Sequence, residues 1–174
     1  MLASKNSLIR IYRLVANIPY GGVGVRSVEN ILKTNRGSCS GKHKLLGEIY
    51  SDIGYEVRYC MGRCDLRSMN DYLPKSLELS EVIYDFHNFL EVRIEGEWRI
   101  VDATFGCEEG KKGLPTNVEW SGESDCNLSF SIQDEYWIVE DIFESKGAEI
   151  AGLSDAMQDK RSRYFQHFYE YLQS

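Results

Sequence analysis

The sequence predicts an α+β domain, on three observations. Apolar residues recur at helical spacing near the N-terminus and again over residues 39–53. The runs at 55–61, 86–94 and 98–105 read as strands. The last two are joined by Glu95-Gly96, a pair suited to a tight hairpin. The expected architecture is a helix over 39–53 packed on an antiparallel sheet, with further helices before it.

Leu8, Ile11, Tyr12 and Val15 place a first helix over residues 4–16. Pro19, Gly21, Gly22 and Gly24 then make a turn-rich loop, and residues 27–32 suit a short helix ending before Asn35. In the next helix Ser38 or a neighbour is a good N-cap, Leu45, Leu46, Ile49, Tyr50 and Ile53 form the apolar stripe, and Gly54 stands where a terminating glycine belongs. Residues 62–81 are polar and read as a long loop, and residues 106–124 as a Gly-rich one. Strands are expected over 128–133 and 136–139. A closing helix over 155–172 carries Phe165, Phe168, Tyr169 and Leu172, a stripe that reads as core.

At 174 residues, with 43% hydrophobic and 27% charged residues, the chain is expected to be one globular domain over 1–174. No apolar run approaches the roughly 20 residues of a membrane span. Charges at Lys5, Arg10 and Arg13 interrupt any signal core, so the expected setting is cytoplasmic, with no membrane partner. A net charge of −7 argues against nucleic-acid binding. That charge is uneven: residues 1–63 hold 10 Lys and Arg against 4 Asp and Glu, residues 64–174 hold 10 against 23. Either the halves neutralise each other in the fold, or the basic half serves an anionic group. Five cysteines, an odd number, are expected to be free thiols.

Cys39, His87 and Asp102 carry the candidate chemistry. A thiol at the start of a helix feels unpaired N–H groups and the positive end of the macrodipole, which favour thiolate. Arg36, Lys42 and Lys44 are expected to push the same way. The Cys39 N–H is also a candidate oxyanion donor. If Glu95 and Gly96 are the two turn residues, Ile94 pairs with Glu97, His87 faces Thr104, and Asp102 projects diagonally beside His87. The carboxylate then orients the imidazole and the imidazole activates the thiol. The competing reading of Cys39 is a buried structural cysteine.

Around these residues the chain resembles the transglutaminase-like cysteine enzymes. Residues 36–43 (RGSCSGKH) with the apolar helix and 53–58 (IGYEVR) are similar to the nucleophile segment. His87 with Phe89, Glu91 and Val92 is similar to the histidine strand, Trp98 through Val101, Asp102, Ala103 and Thr104 to the aspartate strand, and residues 17–20 (NIPY) to a segment upstream. The match covers about residues 10–105, leaving 106–174 as an extension. It implies a papain-like, transglutaminase-core fold in which the nucleophile helix packs on the sheet. It also implies acyl chemistry on an amide or thioester through a Cys39-His87-Asp102 triad and a thioacyl intermediate, with hydrolysis and acyl transfer both open. No metal or organic cofactor is implied. The expected partner is a peptide or small acyl substrate, and the basic residues suggest an anionic one. Phe89 replaces the family's usual Trp, and Ala103 its usual Pro. Residues 1–38 lack the Gln or Trp that often supplies a second oxyanion donor, so Asn17 or Tyr20 is expected to substitute. Expected substrate-binding residues are Lys42, His43, Tyr20 and Asn17.

Rival readings are weighed against this one. His43 stands four residues after Cys39 but leaves little room for a carbonyl between base and oxyanion hole, so a structural or substrate-facing role is preferred. Cys60, Cys64, Cys39 and His43 have spacings within zinc ranges but fall on different elements. Gly41-Lys42 lacks the upstream glycine and following Ser or Thr of a phosphate loop. Glu78, Glu81 and Asp85 read as a solvated face. A catalytically weak domain that binds a peptide without cutting it is the alternative from another class.

Overall fold

The computed structural model describes residues 4–22 and 27–174; Gly24, in the expected turn-rich loop, lies outside them. Helix α1 spans Lys5–Ala16, with the Ser4 hydroxyl accepting the Ser7 N–H at its start and Leu8, Tyr12 and Val15 buried. Helix α2 spans Val28–Thr34 and is capped by Ser27 through the Asn30 N–H. Helix α3 spans Cys39–Asp52. Gly54 follows it with φ 97°, the left-handed geometry that ends helices.

The sheet has strands β1 (Val57–Asp65), β2 (Tyr84–Ile94), β3 (Glu97–Val101) and β4 (Trp137–Val139), antiparallel in the order β3-β2-β1-β4. The hairpin has the register that a two-residue turn dictates: Ile94 faces Glu97 and Leu90 faces Val101. Glu95 and Gly96 both have positive φ, 53° and 91°, as a type I′ turn requires. β3 ends at Val101, short of the expected 105. Beyond it the Ala103 N–H goes to His43 Nε2 and the Thr104 N–H to Asp102 Oδ1, which takes both donors away from a ladder.

Three further differences from the sequence reading have local causes. β1 runs on to Asp65 because it pairs with β2 along its whole length and with β4 on its other side. Leu66 and Met69 are then buried in a 3₁₀ turn where a loop was expected. Residues 128–133 make a single bridge, Ile132 to Cys64, and no strand. The Gly-rich stretch contains α4 (Cys107–Lys111), where Glu109 accepts the Gly106 N–H at the helix start and the Tyr20 N–H across the fold.

Helix α5 (Ile142–Ala151) was not expected at all, although Asp141 followed three residues later by Glu144 is a helix-start pattern. The Asp141 carboxylate accepts both the Phe143 and Glu144 N–H groups. Asp141→Ala is expected to lower stability by about 1 kcal/mol in urea unfolding, the ordinary worth of an N-cap. An unchanged midpoint would mean that packing alone sets this helix. Helix α6 (Asp155–Gln173) closes the chain, and its Phe165 and Phe168 are core, as expected.

α1 and α2 pack on α3, and α3 packs on β1 and β2. The main core joins Leu8 and Tyr12, Leu45 and Leu46, and Leu90, Val92 and Val101. A second core joins Tyr20, Phe105 and Phe130 to Phe165 and Phe168 of α6, and Cys39 belongs to it. Among the described residues no helix is long and apolar enough to cross a membrane.

Candidate active site

Cys39 is the first residue of α3, where three N–H groups lack intrahelical acceptors and Ser38 makes no side-chain cap bond. Its thiol is 2% exposed, and the Lys146 ammonium on α5 donates to its sulfur at 3.5 Å. Burial opposes ionisation, but the charge on Lys146 and the His87 imidazole outweigh it and bring the thiol down to about 6. Cys60, Cys64 and Cys126 go the other way, pushed up by burial.

His87 is buried in the middle of the sheet, between Phe89 and Phe130. Its Nε2–H donates to Asp102 Oδ2 at 2.8 Å. Nδ1 is buried without a hydrogen-bond partner, yet thiol and imidazole lie close enough for each to shift the other's pKa. Burial alone would lower the imidazole; the Asp102 carboxylate and the thiolate together raise it to about 9. Asp102 also accepts the Ser129 N–H at 2.7 Å and the Thr104 N–H at 2.9 Å. His87 and these donors overcome burial and hold its carboxyl well below the usual range. Both shifts favour a thiolate beside an imidazolium, with the Asp102 carboxylate bonded to the ring.

His43 and Lys42 stand differently from the expectation of substrate contact, because both are completely buried. His43 Nδ1–H donates to the Cys39 carbonyl at 2.7 Å, and Nε2 accepts the Ala103 N–H at 2.8 Å. Burial lowers this imidazole to about 4 and keeps it neutral, the form that both bonds require. With both nitrogens used it has none for a metal; it is a brace between Cys39 and the Asp102 segment. The Lys42 ammonium donates to the carbonyls of Ala16, Ile18 and Thr104 at 2.7–2.8 Å. Burial lowers this lysine to about 7, opposed by the charges of Glu109 and Asp102, and its three donors are spent inside the fold.

Asn17 accepts the Cys107 N–H and borders a separate cavity with Arg13 and Val118, so it too is away from the thiol. Lys44 pairs with Glu48 and lies over Tyr59. Arg36 borders another cavity, with Glu108 and Lys112. Of the expected substrate residues, Tyr20 alone lines the cavity of about 380 Å³ beside Cys39. Its ring packs on Phe105 and Phe168, and burial followed by the thiolate's charge raises its phenol well above normal.

The cations at this cavity come from the acidic half of the chain. Lys146 and Arg161 both border it and both bind the buried carboxylate of Asp85, at 3.4 Å and 2.6 Å. Asp85 is therefore no part of a solvated face. Its position two residues before His87, on the same face of β2, was the available signal. Lys146 left no such trace, because it reaches Cys39 across 107 positions. Ser40 and Asn88 complete the surroundings, the Ser40 hydroxyl donating to Asn88 Oδ1 at 2.8 Å.

Comparison with known proteins bears on this geometry. No curated protein matches the sequence. Among solved structures, an arylamine N-acetyltransferase from M. smegmatis is 23% identical over 61% of this chain and 42% of its own, with a TM-score of 0.41. A protein assigned by inference as a cysteine protease, from Cytophaga hutchinsonii, is 16% identical over 80% of this chain and 44% of its own, with a TM-score of 0.45. The chain thus spans less than half the length of either structure. The sequence profile of the transglutaminase-like superfamily matches residues 3–103, a stretch holding Cys39 at the start of α3, His87 on β2 and Asp102 just past β3. With more than half of the sequence inside that match, and an α+β fold that agrees with it, the chain belongs to the transglutaminase-like superfamily.

Proposed function

We propose that the protein is a cysteine-dependent hydrolase or acyltransferase with Cys39 as nucleophile, His87 as base and then acid, and Asp102 as the group that orients His87. The observation that carries this reading is His87, bonded to Asp102 through Nε2 while Nδ1 is left for the Cys39 thiol. The Cys39 thiolate attacks an amide or thioester carbonyl, forming a carbon–sulfur bond. The His87 imidazolium protonates the leaving group as the tetrahedral intermediate collapses. His87 then takes a proton from water or an amine, which attacks the thioacyl carbonyl; the carbon–sulfur bond breaks and Cys39 leaves as the thiolate beside the His87 imidazolium, restoring the starting pair. The Cys39 N–H is one oxyanion donor. Since Asn17 is engaged elsewhere, Tyr20 is the remaining candidate for a second. This sequence of steps needs neither metal nor organic cofactor.

Residues 1–174 are read as one domain, in which 106–174 complete the site, since Ser129, Lys146 and Arg161 all reach it. A reducing, cytoplasmic setting suits five free thiols. A second reading, a peptide-binding domain of low activity, is favoured by the 2% exposure of Cys39 beneath Lys146.

Iodoacetamide alkylation against pH, mapped by peptide mass, separates these readings. Cys39 is expected to react with a midpoint near 6, well under the value of about 8.5 for a free thiol. A midpoint at or above the free-thiol value would remove the activated nucleophile. If Cys39 resists alkylation at every pH while exposed Cys107 reacts, the binding reading gains.

A further inference from the structure

The contact between Cys39 and Lys146 carries a chemistry that acyl transfer does not use. We propose that hydroperoxides convert this pair into a covalent sulfur–nitrogen link, making Cys39–Lys146 a reversible oxidative modification site. The proposal does not rest on the acyl reading; it requires only the contact.

Four observations support it. The Lys146 Nζ lies 3.5 Å from the Cys39 sulfur with nothing between them, so the two approach by less than 2 Å to reach a bond of about 1.7 Å, a short side-chain movement. Both residues are buried, at 2% and 4% exposure, which keeps bulky thiols and proteins from reaching a transient sulfenic acid first. Lys146 borders the cavity of about 380 Å³, so a molecule as small as hydrogen peroxide has a route to the pair. Asp85, the other partner of Lys146, is also bound by Arg161 at 2.6 Å, so its carboxylate stays paired when Lys146 leaves it. The lowered thiol pKa adds to this, because thiolates are the oxidisable form.

The Cys39 thiolate attacks one oxygen of hydrogen peroxide and breaks the O–O bond, giving a sulfenic acid. The departing hydroxide takes a proton from the Lys146 ammonium and leaves as water. The freed amine attacks the sulfenic sulfur, the S–O bond breaks, and the hydroxyl leaves with an amine proton as a second water. Sulfur is oxidised by two electrons and the peroxide is reduced. A thiol small enough to enter the cavity attacks the sulfur, the S–N bond breaks and the amine is restored; the mixed disulfide left on Cys39 is reduced by a second such thiol, which restores the Cys39 thiol. While linked, Cys39 is masked and protected from irreversible oxidation to sulfinic acid, and α5 is tied to α3.

The test treats the intact protein with hydrogen peroxide, blocks remaining thiols, and maps chymotryptic peptides without reduction. The expected product joins the Cys39 and Lys146 peptides, is lighter than their sum by two hydrogens, and disappears on treatment with dithiothreitol. In Lys146→Arg, which keeps a cation but loses the nucleophilic amine, the link is expected to be absent and Cys39 to be trapped by dimedone as sulfenic acid. Recovery of wild-type Cys39 as sulfinic acid, or joined to Cys64, with the Lys146 peptide unmodified, would overturn the proposal. That wild-type map decides the matter even if the variant fails to fold.

Discussion

His87→Ala is expected to lower hydrolysis of an activated ester such as p-nitrophenyl acetate by about 10²–10⁴-fold, the usual contribution of a positioned acid–base group. The loss should fall mainly on kcat/KM and should come with a rise in the alkylation midpoint of Cys39. The rise is partial, because Lys146 stays 3.5 Å from the sulfur and continues to favour thiolate. In the wild type the pH profile should be bell-shaped. Activity rises as the thiolate forms through about 6 and falls as the imidazolium is lost through about 9. These limbs belong to the pair rather than to either group alone. Asp102→Asn should bring the upper limb down, since that carboxylate is the larger of the influences raising His87. A purely structural His87 would leave both limbs in place while reducing stability, and that result would sink the triad.

Lys42→Met is expected to cost about 3–5 kcal/mol, a large part of the roughly 5–15 kcal/mol that holds a domain together. The methionine nearly matches the volume but orphans the carbonyls of Ala16, Ile18 and Thr104, two of which are buried contacts. Those three bonds tie the end of α1 and the segment after β3 to α3, one turn from Cys39, so α3 loses its anchor at the end that carries Cys39. Urea unfolding should show a lower midpoint with little change in slope. A substrate-binding Lys42 would behave oppositely, with stability intact and KM raised. A destabilisation under about 1 kcal/mol would show that water replaces the ammonium cheaply there, contrary to its complete burial.

The two effects separate what was legible in the chain from what was not. Cys39 at a helix start, and His87 and Asp102 as diagonal neighbours, follow from local rules: helical periodicity, a stop at Gly54, and a two-residue turn whose positive φ values fix the register. Each rule acts within 15 positions, from Cys39 to Gly54 and from His87 to Asp102, so no knowledge of the rest of the fold is needed. Basic residues near Cys39 in sequence were a poor guide to the charge near its sulfur. Lys42 points away into three carbonyls and Lys44 toward Glu48, because successive helical positions face different directions.

By itself the sequence determined an α+β chain of this superfamily, its hairpin and the positions where thiol, imidazole and carboxylate stand. The tertiary structure decided which cation faces the thiol, that Asp85 is buried with Arg161, and that His43 is a neutral brace. Those outcomes depend on partners 60 to 107 positions apart, such as Ala103 for His43 and Lys146 for Cys39. Electrostatics acts through space, and burial multiplies it by removing water. A charge therefore counts by where the fold delivers it and not by its place in the chain.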